Sequence, residues 1–250
     1  MIMVKMTIKE AVPMHRELKA DQLYVTVDTL ILSVTDGKLC LLLSPRKDPP
    51  YEGRPALPGK FIGTEESAEE AVQYLMDEML PGAEVFREQL YTFTEVNRDP
   101  RGRVISAAYL VILPQPKLEK VLSESGTPLR PYQVFLDGEQ PVMAGEDGTV
   151  LTGGDLAFDH GRIIETGIRR LRGKIDYTDI AFHFLRDPEA FSLGELQTVF
   201  EAVLGTKLDS SNFRRGILNR YEKSGKLRQT AQAERKNRGR PAVLYQVVGG

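Results

Sequence analysis

Two apolar runs joined at Asp36-Gly37 constrain the fold more than any other feature of the chain. Residues 23–43, LYVTVDTLILSVTDGKLCLLL, place β-rich segments on either side of that dipeptide. Asp-Gly between such runs is a strong hairpin signal, so the segment reads as an antiparallel pair. Pro and Gly then dominate residues 45–59, which read as a loop. A helix starts near Ser67, where Ser67 and Glu70 have capping-box spacing. Ala68, Ala71, Val72, Leu75, Met76 and Met79 recur at helical spacing and give it one buried stripe, which Pro81-Gly82 ends. Strands are predicted around 89–95 and 104–113, on either side of the charged turn Asn97–Arg103. Turn signals at Asp137-Gly138 and Asp147-Gly148 predict an inserted hairpin or small extra sheet within 114–154. A later helix is predicted over 159–172, with Asp159 as its N-cap.

Charge divides the chain. Of 33 basic and 35 acidic residues, 205–250 hold 11 and 3, a net of +8, which leaves 22 and 32, a net of −10, in 1–204. That asymmetry points to a basic terminal unit that meets a polyanion and an acidic body that does not. Cys40, the single cysteine, has no intrachain disulfide partner and reads as a small buried strand residue. No apolar run approaches the ~20 residues of a membrane span. Charges and Pro13 interrupt the N-terminus where a signal peptide needs an apolar core, so a cytoplasmic protein is expected.

The basic third has its own pattern. A short helix is predicted over 177–185, a second over 191–204 (FSLGELQTVFEAVL) and a third over 209–224 (DSSNFRRGILNRYEKS). Strand-like runs at 226–230 and 242–248 flank the polar, basic AERKNRGRP. Three helices and a β-hairpin in this order make a winged helix-turn-helix, whose recognition helix reads base edges in the major groove. Ser210, Ser211, Asn212, Arg214 and Arg215 begin that helix, while Phe213, Ile217, Leu218 and Tyr221 fall at core spacing. Arg235, Lys236, Arg238 and Arg240 on the wing suit phosphates or the minor groove. Double-stranded DNA is the expected partner, and a protein-binding adaptor is the other use of such a module.

Residues 57–80, LPGKFIGTEESAEEAVQYLMDEML, resemble the Nudix box, G-x5-E-x7-R-E-U-x-E-E-x-G-U, where U is a bulky apolar residue. With the first Glu of the box on Glu66, its leading Gly falls on Lys60 and its R-E-U-x-E-E run on Tyr74-Leu75-Met76-Asp77-Glu78-Met79. The helix face that gathers divalent metals in a working box then carries Leu75, Glu78 and Met79, and Asp77 points about 100° away from Glu78. One carboxylate cannot replace three, so no catalytic or metal-binding residues and no cofactor are expected. A rearranged metal site on Glu66, Glu69, Glu70 and Glu78, giving a residual pyrophosphatase, is the enzymatic alternative.

The whole chain resembles the Nudix-related transcriptional regulators, the bacterial NrtR-like family, through VTVDTLILSVTDGKLCLLL, ALPGKFI, RDPRGRVISAAYL, LAFDHGRI, GKIDYTDIAF and ELQTVFEAVLGTKLDSSNFRRGIL…RGRPAVLYQV. The resemblance implies a Nudix-like α/β/α sandwich with a mixed sheet, followed by the winged helix. The expected organisation is an arm over 1–20, an effector-sensing domain over 21–173 and a DNA-binding domain over 174–250. It further implies a homodimeric repressor that senses ADP-ribose or a related NAD-derived nucleotide, or a sugar derivative in arabinose or xylose catabolism. Arg46, Lys60, Arg98, Arg101 and Arg103 are the candidate phosphate contacts, and Phe61 and Phe93 offer either a face to a base or ordinary core. His160 bonds ligand or serves packing, and His183 is structural. Lys60, where the box has Gly, either contacts phosphate or marks an effector other than ADP-ribose.

Overall fold

The computed structural model describes residues 18–19, 22–124, 126–234 and 242–248. β1 (Leu23–Thr35) and β2 (Lys38–Pro45) pair antiparallel with Thr35 opposite Lys38. Asp36 (φ 50°) and Gly37 (φ 71°) both take the left-handed backbone that such a two-residue connection requires. Two short strands follow, β3 (Pro55–Ala56) against β2 and β4 (Gly59–Phe61) against β1. α1 (Ala68–Met79) opens with a full capping box: Ser67 Oγ accepts the Glu70 N–H and the Glu70 carboxylate accepts the Ser67 N–H.

β5 (Phe86–Phe93) and β6 (Arg103–Ile112) form the next antiparallel pair, and β6 runs parallel to β1 over ten residue pairs, Leu23 opposite Arg103 to Leu32 opposite Ile112. Then come α2 (Gln115–Ser123), β7 (Arg130–Asp137), β8 (Gln140–Ala144), β9 (Val150–Thr152) and α3 (His160–Lys174). The sheet runs β5-β6-β1-β2-β7-β8-β9 and is mixed. The separate hairpin expected within 114–154 is therefore corrected in two ways. Its strands extend the main sheet, with β7 on β2, and a helix precedes them. Pro114 and Pro116 look like helix breakers, yet proline is tolerated in a first turn whose N–H groups have no intrahelical partner anyway.

The strands are apolar on both faces because both faces are covered. On one side Val27 and Ile31 of β1, Leu42 of β2 and Val111 of β6 pack with Val72, Leu75 and Met76 of α1 and Leu118 and Val121 of α2. On the other, Leu30 and Leu32 of β1, Leu41 of β2 and Leu110 of β6 meet Ile163, Ile164, Ile168 and Leu171 of α3. That second core continues without a break into the C-terminal module.

There Ile180–Phe184 forms a 3-10 turn where a helix over 177–185 was expected. β10 (Phe191–Ser192) leads into α4 (Leu193–Leu204), which ends at Gly205 in the left-handed region (φ 73°). α5 (Ser210–Ile217) is capped by Asp209 and runs on into a π-helical turn over Leu218–Glu222, so the third helix is regular over half its expected span. β11 (Leu227–Glu234) and β12 (Ala242–Val247) complete a sheet in the order β10-β12-β11. The module is fastened to α3 and β5. Arg172 donates to the Val203 carbonyl at 3.0 Å and the Phe86 and His183 rings stack at 4.1 Å, while Lys174 and Glu88, 2.6 Å apart, hold α3 to β5. Among the described residues no helix is long and apolar enough to cross a membrane.

The first turn of α3 lies on the backbone of residue 153: a Cβ on Gly161 would sit 2.6 Å from Gly153 Cα and 2.8 Å from its carbonyl oxygen. Backbone cannot yield as a flexible side-chain tip does. Gly161→Ala is therefore expected to destabilise by about 1–2 kcal/mol net, despite alanine's ~1 kcal/mol advantage within a helix. Urea unfolding with an unchanged m-value checks it.

Candidate ligand pocket and nucleic-acid interface

The centre of the site is a carboxylate inside an otherwise apolar strand. Asp28 of β1 is buried and accepts from Ser106 Oγ at 2.5 Å, Thr26 Oγ1 at 3.4 Å and Arg98 Nη2 at 3.4 Å. Gly59 of β4 passes so close that a Cβ there would lie 2.4 Å from Asp28 Oδ1, so only glycine fits. Arg98, in the turn after β5, also grips Asp159 with two N–H groups, at 3.0 and 2.6 Å. Asp159 occupies the N-cap position of α3 but makes no cap bond there, its carboxylate being committed to Arg98. The sequence expectation that Arg98 meets ligand phosphate gives way here to a buried guanidinium shared by two carboxylates.

His160 closes the same cluster. Its Nδ1 accepts the Leu57 N–H at 2.9 Å, which places the ring proton on Nε2, 3.7 Å from Asp28 Oδ1. Burial pushes its pKa down, and the carboxylates of Asp28 and Asp159 only partly oppose that. His160 thus holds the β3–β4 connection to α3, and its ring reaches the wall of a neighbouring cavity.

That cavity, about 300 Å³, lies between the 44–48 loop, β4 and α1, and Arg46, Lys47, Lys60, Tyr74, Glu78 and His160 are among its walls. Lys60 is buried and meets both Glu66 carboxylate oxygens, at 2.7 and 2.5 Å, with the Tyr74 ring 5.3 Å away. Glu66 also accepts the Gly63 N–H at 2.9 Å. Glu69 accepts the Tyr109 hydroxyl and Glu70 is taken by the capping box. Glu78 is left on α1 beside buried Leu75 and half-buried Met79. Among the described residues no three His, Cys, Asp or Glu side chains come together to hold a metal ion. This donor set does not fit a divalent cation, which needs several unencumbered hard oxygens.

Beside the cavity stands a cluster of cations and rings. The Arg46 guanidinium lies 4.6 Å over Phe158, and Arg101 lies 5.4 Å from Phe158 and 5.3 Å from Phe61. Burial, and then the like charge of Arg101, push the Arg46 pKa down. Arg46 also donates to the carbonyls of Pro50 and Asp48, and Arg101 pairs with Asp99. Phe158 (φ 52°) and Tyr51 (φ 66°) both hold left-handed backbone, which bulky side chains rarely adopt, and their rings meet edge to face at 5.0 Å. Neither was singled out from the sequence, since backbone handedness at an aromatic leaves no compositional trace. Arg103 lies apart, its guanidinium on the carbonyls of Thr94 and Glu95, and Phe93 is ordinary core.

In the C-terminal module Ser210, Ser211, Asn212, Arg214 and Arg215 are all exposed on α5, while Ile217 and Tyr221 are buried and Phe213 packs on Phe200. Arg214 donates to the Tyr245 hydroxyl at 3.2 Å and Arg215 to the Asn212 side chain at 2.7 Å, so both guanidiniums are steered along one face. The wing candidates Arg235, Lys236, Arg238 and Arg240 lie outside the described residues.

Two outcomes follow from the buried cluster. Arg98→Met strands Asp28 without its cation and is expected to cost about 3–5 kcal/mol in chemical denaturation. An unfolded histidine titrates near 6.5, whereas folded His160 takes its proton only at lower pH. The unfolded chain therefore binds more protons in that window, and stability falls as pH drops through 6.5 towards the lower folded value. His183, also depressed by burial, acts in the same direction. His160→Asn is expected to flatten part of that decline in unfolding midpoints measured between about pH 5 and 8.

Comparison with known proteins places these features. Residues 181–247 match the NrtR DNA-binding winged helix domain. The ADPR responsive transcriptional repressor NtrR of Acinetobacter baylyi is 28% identical over 224 residues, 88% of this chain and 80% of that protein. The crystal structure of Shewanella oneidensis NrtR complexed with a 27mer DNA superposes with a TM-score of 0.69 at 29% identity, over 90% of this chain and 93% of that one. A MutT/nudix family protein from Enterococcus faecalis superposes with a TM-score of 0.73 at 26% identity, over 92% and 89%. The C-terminal module thus matches the NrtR winged helix, and the chain as a whole is similar to NrtR-type, Nudix-related transcriptional regulators: a Nudix-like α/β domain with a mixed sheet, joined to a C-terminal winged helix.

Proposed function

We propose that this chain is a transcriptional repressor that holds operator DNA through α5 and responds to ADP-ribose in the cavity beside α1. The observation that carries the DNA half is the polar, basic exposed surface of α5. Five groups suited to base edges and phosphates stand exposed on a helix whose opposite side is anchored by Ile217. The effector follows from the likeness to an ADP-ribose-responsive repressor, together with a cavity that offers lysine and arginine walls of the kind a diphosphate needs. The ligand is held rather than cleaved, because Glu66 is taken by Lys60, Glu69 by Tyr109 and Glu70 by the helix cap, which leaves Glu78 as the one α1 carboxylate lining the cavity.

The repressor acts as a homodimer, since two recognition helices about one DNA turn (~34 Å) apart read a palindromic site. ADP-ribose regulates it by favouring one placement of those helices over the other; a ligand that bound both placements equally would shift nothing.

Operator fragments selected from random DNA by the full chain test this reading. Affinity is expected to fall steeply with salt, with a log–log slope of about −0.9 per phosphate contacted. Arg214→Ala is expected to lose about 1–3 kcal/mol on the selected site and little on unrelated DNA. ADP-ribose is expected to change operator affinity at least several-fold and to be recovered intact. An unchanged affinity at saturating ADP-ribose, with arabinose or xylose derivatives releasing the DNA instead, reassigns the effector. Recovery of AMP reassigns the α/β domain as a hydrolase.

A further inference from the structure

We propose that Lys60, anchored by Glu66, acts with Arg46 and Lys47 in place of a divalent metal in this pocket, so that a diphosphate ligand binds without any metal ion. The inference rests on the effector reading above and goes beyond it by assigning what neutralises the ligand. Lys60 Nζ sits in the cavity wall with both oxygens of Glu66 at 2.7 and 2.5 Å. An ammonium has three N–H groups and no acceptor. Two suffice for Glu66, and among the described residues no other hydrogen-bond partner of Lys60 is present to take the third.

The Lys60 side chain is 8% exposed and that of Glu66 16%. A charge so placed persists because its counter-ion is fixed, and Glu66 is fixed by the Gly63 N–H as well as by Lys60. The site therefore carries a preorganised cation where a metal would have to displace one. With Glu66 saturated, Glu69 bonded to Tyr109 and Glu70 to the Ser67 N–H, the α1 surface leaves Glu78 as the acidic wall of the cavity. Asp48, on the 44–48 loop, is the other carboxylate of the wall, and two carboxylates from separate elements fall short of the several hard oxygens a divalent ion needs. Arg46 and Lys47 also line the cavity, so a diphosphate there meets further cations besides Lys60.

The test uses calorimetric titration of the full chain with ADP-ribose, in EDTA and in Mg²⁺. Affinity is expected to agree within about twofold between the two buffers. Lys60→Met is expected to weaken binding at least tenfold in both, with Lys60→Arg restoring most of it. Because Lys60→Met strands Glu66, the double variant Lys60→Met/Glu66→Gln, which is neutral at both positions, is measured beside it. Selected-operator binding confirms that each variant is folded. Binding that requires Mg²⁺, or saturable Mn²⁺ uptake by the wild type that Glu78→Gln abolishes, overturns the proposal. If ADP-ribose binds in neither buffer, the effector assignment has failed on its own. Inorganic pyrophosphate in EDTA then decides the present point: binding lost in the double variant upholds it, and no binding sinks it.

Discussion

A single guanidinium held between two buried carboxylates organises this protein. Arg98 joins Asp28, in the middle of β1, to Asp159, at the entrance of α3, and so ties the centre of the sheet to the helix that covers it. Taking three charges out of water is costly, and the arrangement persists only because the remaining acceptor capacity of Asp28 is filled by Ser106 and Thr26. His160 stays next to this cluster as a neutral ring, its orientation set by the Leu57 N–H. Remove the cation and the strand, the 97–103 turn and the start of α3 lose their common reference point. The pocket adjoins this cluster through His160, which lines its wall.

The pocket, in turn, borrows one wall from α1, a helix seated on the sheet by its own local signals. α1 retains its capping box and its buried stripe of Ala71, Val72, Leu75 and Met76, the features that seat it on the sheet. Glu69 and Glu70 make internal contacts, Glu78 stays exposed, and Lys60 in the cavity wall pairs with Glu66.

Much of this was legible in the chain itself. Asp36-Gly37 announces the hairpin, Ser67 and Glu70 the start of α1, and the basic tail its recognition helix, because each depends on residues close in sequence. Long-range facts were harder to read. α2 was hidden behind Pro114 and Pro116, which look like breakers until their place in a first turn is known. Arg98 resembles its neighbours Arg101 and Arg103 in sequence, and only the fold decides that it is buried while they bridge to Asp99 and to backbone carbonyls. Asp28 does leave a trace, a lone acid within VTVDTLIL. The aromatic pair Tyr51 and Phe158 left none, since the two residues meet across a hundred positions.

α3 touches both ends of the molecule's business. Its entrance abuts the Asp28 cluster and the cavity wall at His160, and its last turn carries Arg172 and Lys174, which bind the α4 carbonyl of Val203 and Glu88. Fifteen residues make a rod about 22 Å long. Along such a lever a tilt of ~10° at one end becomes ~4 Å of travel at the other, by the same helical rise. That is roughly the rise of a base-pair step, so a rigid helix of this length would carry a change of tilt beside the pocket to the C-terminal module.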